Sequence, residues 1–311
     1  NQHKMTADTK IRIASLSKTL VGMVVFRLIE DGVLSLESDI SDYLGITVRN
    51  PSYPDVPITV HTILNHTSGL KTSGYTNSLE QLISVLQQPS AYTEYKPGEK
   101  YEYNNFAYGV LGTVCELATG KSFNTLTKEY FLDPLGIDAS FIPAELKETE
   151  IAALYDGEHK LFRGVSTQRN QLKPTEEAGR GMKLYAGGLT ISAVDFAKII
   201  TILMNDGMYE GIRFLSSESI AQIHTVQFMR PGSPSAQCMP VLLRKNFYGG
   251  RDLFHHTGSG YGAYTLYAYD PQTKTGVVVL TIGVKSEKDR YSIYGSCGDI
   301  ARGVFEKNFI E

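Results

Sequence analysis

The sequence predicts an α+β fold, an antiparallel β-sheet flanked by helices with a mostly helical insertion. Three observations carry this expectation. Apolar helical stretches dominate the first two thirds of the chain. Two runs rich in Val, Thr, Tyr and Leu, Tyr264 to Tyr269 and Gly276 to Ile282, lie close together in the last third. Helical and strand patterns are segregated rather than alternating, which argues for helices packed on an antiparallel sheet. No repeat or linker divides the 311 residues. One domain is expected over 1–311, with an α/β part of about 1–40 and 185–311 and a helical part of about 41–184.

The elements follow in order. A first helix is predicted from near Ser15 to Gly32, because glycine just past a periodic run stops a helix. Its apolar stretch, Leu16 to Ile29, contains Lys18 and Arg27 and falls short of the roughly 20 apolar residues a bilayer demands. It reads as a core helix, and no transmembrane segment is expected. Ile58 to Leu64 reads as a short helix entry, and His66-Thr67-Ser68-Gly69 as a turn. Asn105 to Ala118 is a second apolar helix closed by Gly120. Ser192 to Asn205 is another, with Ser192 as N-cap and Asp195 placed for a box-like start. Asp270-Pro271-Gln272-Thr273 separates the two strand runs as a hairpin turn. A final helix is predicted from Tyr291 to Asn308.

Composition excludes several classes. Hydrophobic residues make up 42% and charged residues 20%, a soluble globular balance. The formal net charge of −3 gives no basic excess, so no nucleic-acid partner is expected. Cys115, Cys238 and Cys297 match neither a zinc spacing nor a C-x-x-C pair and read as free core thiols. No His, Asp and Glu cluster has ligand spacing, so neither metal nor cofactor is implied. The chain opens without the basic and apolar regions of a signal peptide, and an exported, trimmed protein would look the same.

The chemistry begins at Ser15-Leu16-Ser17-Lys18, an S-x-x-K pattern opening the first helix. A spacing of three puts Ser15 and Lys18 on one face, one turn apart. Serine needs a neighbouring base to act as a nucleophile, and a lysine serves when burial lowers its pKa. Tyr103-Asn104-Asn105 is the second element, just before the second apolar helix. A phenol near two cations can ionise below its usual pKa of about 10 and take the serine proton. Asn105 would offer its amide to substrate and to Lys18. The third element is His256-Thr257-Gly258 before the Tyr264 strand. Gly258 lets a substrate backbone approach a strand edge. The N–H groups of Ser259 and Ser15 would then polarise a carbonyl as an oxyanion hole.

Each pattern has an ordinary alternative: a capped helix with a surface lysine, one of 19 tyrosines, a turn histidine beside a glycine bend. Two of them also recur. Ser68-Gly69-Leu70-Lys71 fits S-x-x-K, and Tyr75-Thr76-Asn77 fits Y-x-N. Neither repeat opens an apolar helix, so Ser15 and Tyr103 are preferred. His255 lies outside the third triplet.

Together and in this order, the three elements resemble the active-site triplet of the class C β-lactamase and D,D-peptidase family. These are penicillin-binding-protein-like serine hydrolases that include related esterases. Thr9 to Lys18, Leu64 to Leu70, Pro97-Gly98, Pro134-Leu135-Gly136 and Gly187-Gly188-Leu189 agree as well, and the likeness spans nearly the whole chain. The resemblance implies a β-lactamase/transpeptidase-like fold with Ser15 as nucleophile, Lys18 and Tyr103 as its base system, and Asn105, His256, Thr257, Gly258 and Ser259 as substrate contacts. It implies that Ser68 belongs to a structural turn. It also implies an extracytoplasmic protein acting on a peptide or small-molecule substrate, with peptidoglycan as a candidate partner. Two departures stand out. The pair of strands that commonly precedes the Thr9 region is not in this sequence, and position 256 is His where β-lactamases of this class usually carry Lys. Hydrolysis of peptide-like amides or esters is the expected activity, with a D-alanyl-D-alanine carboxypeptidase ahead of a carboxylesterase or a class C-like β-lactamase. A non-catalytic penicillin-binding sensor or wall-binding protein is the alternative of another class.

Overall fold

A computed structural model of the chain describes residues 4–71, 74–285 and 287–306. The first long helix, Ser17–Glu30, buries every residue from Ser17 to Phe26, and Leu28. A helix that is apolar on all sides belongs in a core, and this one is gripped from two directions. Its Thr19 hydroxyl meets Tyr267 Oη of the sheet at 2.8 Å. Its other side packs on the helix Asn105–Thr119.

The helix begins two residues later than the sequence predicts. It is entered through a tight 3-10 turn, Ala14–Leu16, so Ser15 sits on the entry turn. Ala14 holds a φ of 50°, a left-handed conformation that is unfavourable for alanine. Ser17 fixes this turn, donating from Oγ to the Ala14 carbonyl at 2.7 Å and accepting from Leu189 N–H at 3.1 Å. The preceding residues Ile11–Arg12 pair antiparallel with Thr190–Ile191.

The main sheet is antiparallel, as the sequence predicts, and has six strands, of which only one hairpin is located in the sequence. Their order is Thr275–Ile282, Ala263–Asp270, Leu253–Gly260, Leu242–Arg244, Ser235–Gln237 and Phe228–Met229. The hairpin 263–282 and its Asp270–Thr273 turn lie where expected. The other strands are hidden in the sequence for two reasons. Three are only two or three residues long, separated by Pro231, Gly232, Pro234 and Pro240, too short to show alternation. The fourth, Leu253–Gly260, carries His and Gly residues that disguise it as a bend.

Period-two alternation divides the hairpin between two cores. Tyr267 and Tyr269 join the large core around the first helix. Leu266 and Ala268 join Cys297, Ala301 and Phe305 of the last helix. That helix runs over Gly295–Glu306 rather than from Tyr291. Asp289 Oδ1 accepts from the N–H groups of Tyr291 and Ile293, both at 2.9 Å, and holds this stretch in a turn. The predicted end at Asn308 lies outside the described residues.

The middle helices follow their caps. Asn104 accepts from Ala107 N–H at 3.0 Å to start Asn105–Thr119, and Gly120 ends it. Ser192 accepts from Asp195 N–H at 3.1 Å to start Ala193–Met204. The Asp195 carboxylate takes the Ser192 hydroxyl, at 2.9 Å, so the reciprocal half of the box is made to the side chain. All three cysteines are buried and free. Among the described residues no helix is long and apolar enough to cross a membrane.

Candidate active site

Ser15 stands at a cavity of about 450 Å3 where the entry turn, the Asn105 helix and the Leu253–Gly260 strand meet. Tyr103 Oη donates to Ser15 Oγ at 2.7 Å. Lys18 Nζ lies 3.3 Å from the same oxygen. Lys18 is fully buried, and that burial holds its amine well below the ordinary lysine range. Its Nζ donates to Asn105 Oδ1 at 2.7 Å and to the Ala186 carbonyl at 2.6 Å. A neutral amine has two N–H bonds and one lone pair. In that form, with Asn105 and Ala186 taking the two N–H bonds, the lone pair is left for the hydroxyl of Ser15. The spacing of three therefore gives a contact that can receive a proton, and Asn105 orients the receiver.

Tyr103 differs from the expectation in one respect. The sequence suggested a phenol that ionises readily between two cations. Burial instead pushes Tyr103 up to about 12, against the opposing influence of its bond to Ser15 and the charge of Arg230. The cause is burial of the phenol, which outweighs the positive charge nearby. Tyr103 thus stands as a proton donor to Ser15 Oγ, not as a phenolate.

The third triplet lies within a strand rather than before it. Within the strand Leu253–Gly260 only Leu253–His255 pair with Leu242–Arg244, so the far edge of His256–Gly260 has no strand partner among the described residues. A Cβ on Gly258 would stand 2.2 Å from Thr265 Oγ1, 2.7 Å from the Ile13 carbonyl and 3.1 Å from Ser15 N. Glycine is what lets this strand lie against the entry turn. Ser259 lines the cavity; His256, Thr257 and Gly258 are not among its lining residues. His256 is 5% exposed, with Nδ1 2.8 Å from the Thr257 carbonyl. Burial pulls its imidazole down to about 3. An uncharged ring offers a substrate carboxylate no charge near neutrality. His255 points elsewhere, Nε2 meeting Ser235 Oγ at 2.9 Å.

The rival matches are separated by position. Ser68 is buried in its turn, accepting from Leu70 N–H at 3.3 Å, while Lys71 is exposed. Nothing joins the pair. Tyr75 does line the cavity, 46% exposed on its outer wall, and Asn77 accepts from Lys183 Nζ at 3.0 Å.

Other contributors escaped the sequence. Ala186 acts through its carbonyl, which no side-chain pattern reveals. His66 read only as a turn residue, yet its ring packs on Tyr103 with centroids 4.5 Å apart. Arg12, Arg163, Lys183 and Tyr261 line the cavity without forming any short motif.

Comparison with known proteins agrees with this fold. The Beta-lactamase family model matches residues 1–294. The D-alanyl-D-alanine-carboxypeptidase/endopeptidase AmpH of Escherichia coli (strain K12) is 23% identical over 297 residues, covering 90% of this chain and 72% of its own length. Among solved structures, the octameric penicillin-binding protein homologue from Pyrococcus abyssi has a TM-score of 0.73 at 24% identity. That match covers 96% of this chain and 65% of the Pyrococcus chain. EstCE1, a hydrolase with promiscuous acyltransferase activity, has a TM-score of 0.74 at 18% identity, with 97% and 86% covered. At these identities the solved structures speak for the fold alone. The family match runs through Ser15, Tyr103 and His256 and takes in nearly the entire chain: the protein belongs to the beta-lactamase family, whose members are serine hydrolases.

Proposed function

We propose that the protein hydrolyses peptide-like acyl compounds through a covalent ester on Ser15, as a D-alanyl-D-alanine carboxypeptidase-type enzyme. One observation carries the reading: Ser15 Oγ is held between a buried amine, Lys18, whose pKa burial lowers, and a phenol, Tyr103, whose pKa burial raises. In the forward step the Ser15 proton passes to Lys18 Nζ as Oγ attacks the substrate carbonyl. The N–H groups of Ser15 and Ser259 receive the oxyanion. Tyr103 then protonates the leaving amine and regains a proton from Lys18. Water attacks the acyl ester, and its proton returns to Ser15 through the same pair. Asn105 keeps the lysine lone pair aimed throughout. The printed activity of the Escherichia coli relative supports a D-alanyl peptide as substrate. On this reading 1–311 works as one domain, because the residues around Ser15 come from both the sheet part and the helical part.

A second reading, carboxylesterase, draws on His256. A buried neutral imidazole supplies no permanent cation beside the third triplet, which suits an uncharged ester. Intact mass after exposure to a penicillin and to a short p-nitrophenyl ester, with D-alanine release from a peptide ending in D-alanyl-D-alanine, decides between them. D-alanine release with a slowly lost penicillin adduct supports the peptidase. Ester turnover without D-alanine release supports the esterase, and no adduct or turnover with any of them rejects both.

A further inference from the structure

The cavity that holds Ser15 is lined by three cationic side chains, Arg12, Arg163 and Lys183, and by no carboxylate. Two of them are brought together by one ring. The Arg163 guanidinium lies 3.6 Å from the centroid of Tyr261, and that of Arg12 lies 4.9 Å from it. Arg12 is anchored on one side only. Its Nε donates to the Gly187 carbonyl at 2.8 Å, and Nη1 donates to Gln171 Oε1 at 3.1 Å. Among the described residues, Arg12 Nη2 and the whole Arg163 guanidinium make no hydrogen bond or ion pair. Two like charges close together without a counter-charge repel, and the fold must hold them there.

Tyr261 is held at a cost as well. Gly260 faces Ala263 across the hairpin, so Tyr261-Gly262 is a two-residue turn with φ of 55° and 82°. Such a turn requires left-handed backbone at both positions. A bulky side chain there is unfavourable, and observed strain of this kind clusters at ligand sites. Glycine at 262 is obligatory, since a Cβ would meet the Tyr155 carbonyl at 1.9 Å. Tyrosine at 261 is not explained by the turn, but it is explained as a platform for two guanidiniums. Burial pulls Arg12 down to about 10, opposed by Tyr261 and helped by Arg163, so Arg12 remains a cation at neutral pH.

We infer that Arg12 and Arg163, set on Tyr261, form a subsite that binds a carboxylate of the substrate away from the reacting bond. The third triplet, with its buried His256, does not serve this purpose. Arginine is suited to the task because its planar fork matches a carboxylate's two oxygens. The inference rests on the proposed acyl transfer at Ser15 and adds the residues that select an anionic substrate.

The test pairs p-nitrophenyl hydrogen glutarate with its neutral p-nitrophenyl methyl glutarate counterpart, and adds calorimetry of free glutarate on Ser15→Ala. Arg163→Gln should lower the anionic-to-neutral ratio of kcat/KM by about tenfold, as expected for loss of one charge-assisted contact. Arg163→Lys should recover part of it. Glutarate should bind Ser15→Ala and lose that binding when Arg163→Gln is added. Arg12→Gln should act in the same direction, and the Arg163 variants decide the question if it fails to fold. A ratio that ignores Arg163→Gln overturns the subsite, as does an equal loss in Arg230→Gln, whose guanidinium lies over the Tyr101 ring and does not line the cavity. Glutarate binding without a matching ester preference overturns it too, because the anion site would then lie off the reaction path. The two levels of the argument separate cleanly. If Ser15 is not the nucleophile, Ser15→Ala turns over both esters as the parent does, or the parent turns over neither, while glutarate still binds through Arg163. If the subsite is wrong, both esters turn over without preference.

Discussion

The imidazole of His66 accepts a hydrogen bond from the backbone N–H of Asn104 at 3.1 Å, and the His66 carbonyl accepts one from Glu102 N–H at 2.8 Å. Tyr103 is thereby suspended between two bonds to a single residue. The network assigns the tautomer: Nδ1 accepts, so the proton is on Nε2. Protonation of Nδ1 would remove the acceptor and release one side of Tyr103.

This arrangement predicts acid sensitivity of a defined sign. Burial is the largest cause that holds His66 and His255 well below the usual histidine range, and it pulls His256 down to about 3. In the unfolded chain these rings take up protons below about pH 6.5, whereas in the fold they stay neutral. The unfolded state therefore binds more protons in that window, and stability falls as pH drops below about 6.5. Each ring contributes up to roughly 1.4 kcal/mol per pH unit. Urea midpoints measured between about pH 7 and pH 4 should fall less steeply in His256→Gln than in the parent. Equal slopes would show that His256 takes up its proton in the folded state as readily as in the unfolded one.

Covalent labelling should depend on Ser15 and not on Ser68. Ser15 Oγ faces the cavity beside Lys18 and Tyr103, while Ser68 is sealed in a turn. Ser15→Ala is expected to abolish labelling by a serine-directed phosphonate, read by intact mass, and Ser68→Ala to retain it. The reverse pattern would falsify the assignment of the nucleophile.

Lys18 and Tyr103 act on one oxygen, so their losses should not multiply. Lys18→Ala and Tyr103→Phe should each slow acylation by more than about 100-fold, the scale of a general-base contribution. The double variant should be little worse than either alone. Stopped-flow acylation rates that fall by the product of the two factors would mean separate jobs.

His256 should leave no titration near neutrality in substrate affinity. KM for a carboxylate-bearing substrate and for its neutral ester should both run without an inflection near pH 6.5, because the buried ring stays uncharged there. An inflection that disappears in His256→Gln would instead place a titrating imidazole against the substrate.

What the sequence discloses depends on the range over which the physics acts. The Ser15 and Lys18 contact is local, set by one helical turn, and their spacing of three announces it. The Asn105 helix announces itself through its cap at Asn104 and its stop at Gly120. Long-range facts are silent. The direction of the Tyr103 shift follows from burial, which no motif records, so the reading from spacing alone leaned towards the wrong ionisation state. The Ala186 carbonyl lies 168 residues from Lys18 and carries no side-chain signature. The three shortest strands of the sheet lack the length for a periodic pattern, and Tyr261 resembles any surface tyrosine until its left-handed turn is seen.

Position 258 has a consequence for descent as well as for geometry. Any single-nucleotide change in a glycine codon that alters the residue adds at least a Cβ, and here that atom would meet Thr265, Ile13 and the nucleophile's own backbone at once. No neighbouring genotype offers a smaller residue or a gradual step. A lineage exploring new substrates from this chain is therefore free to vary the side chains on the cavity's outer wall, Arg163 and Tyr261 among them, while residue 258 remains a fixed point around which those experiments are made.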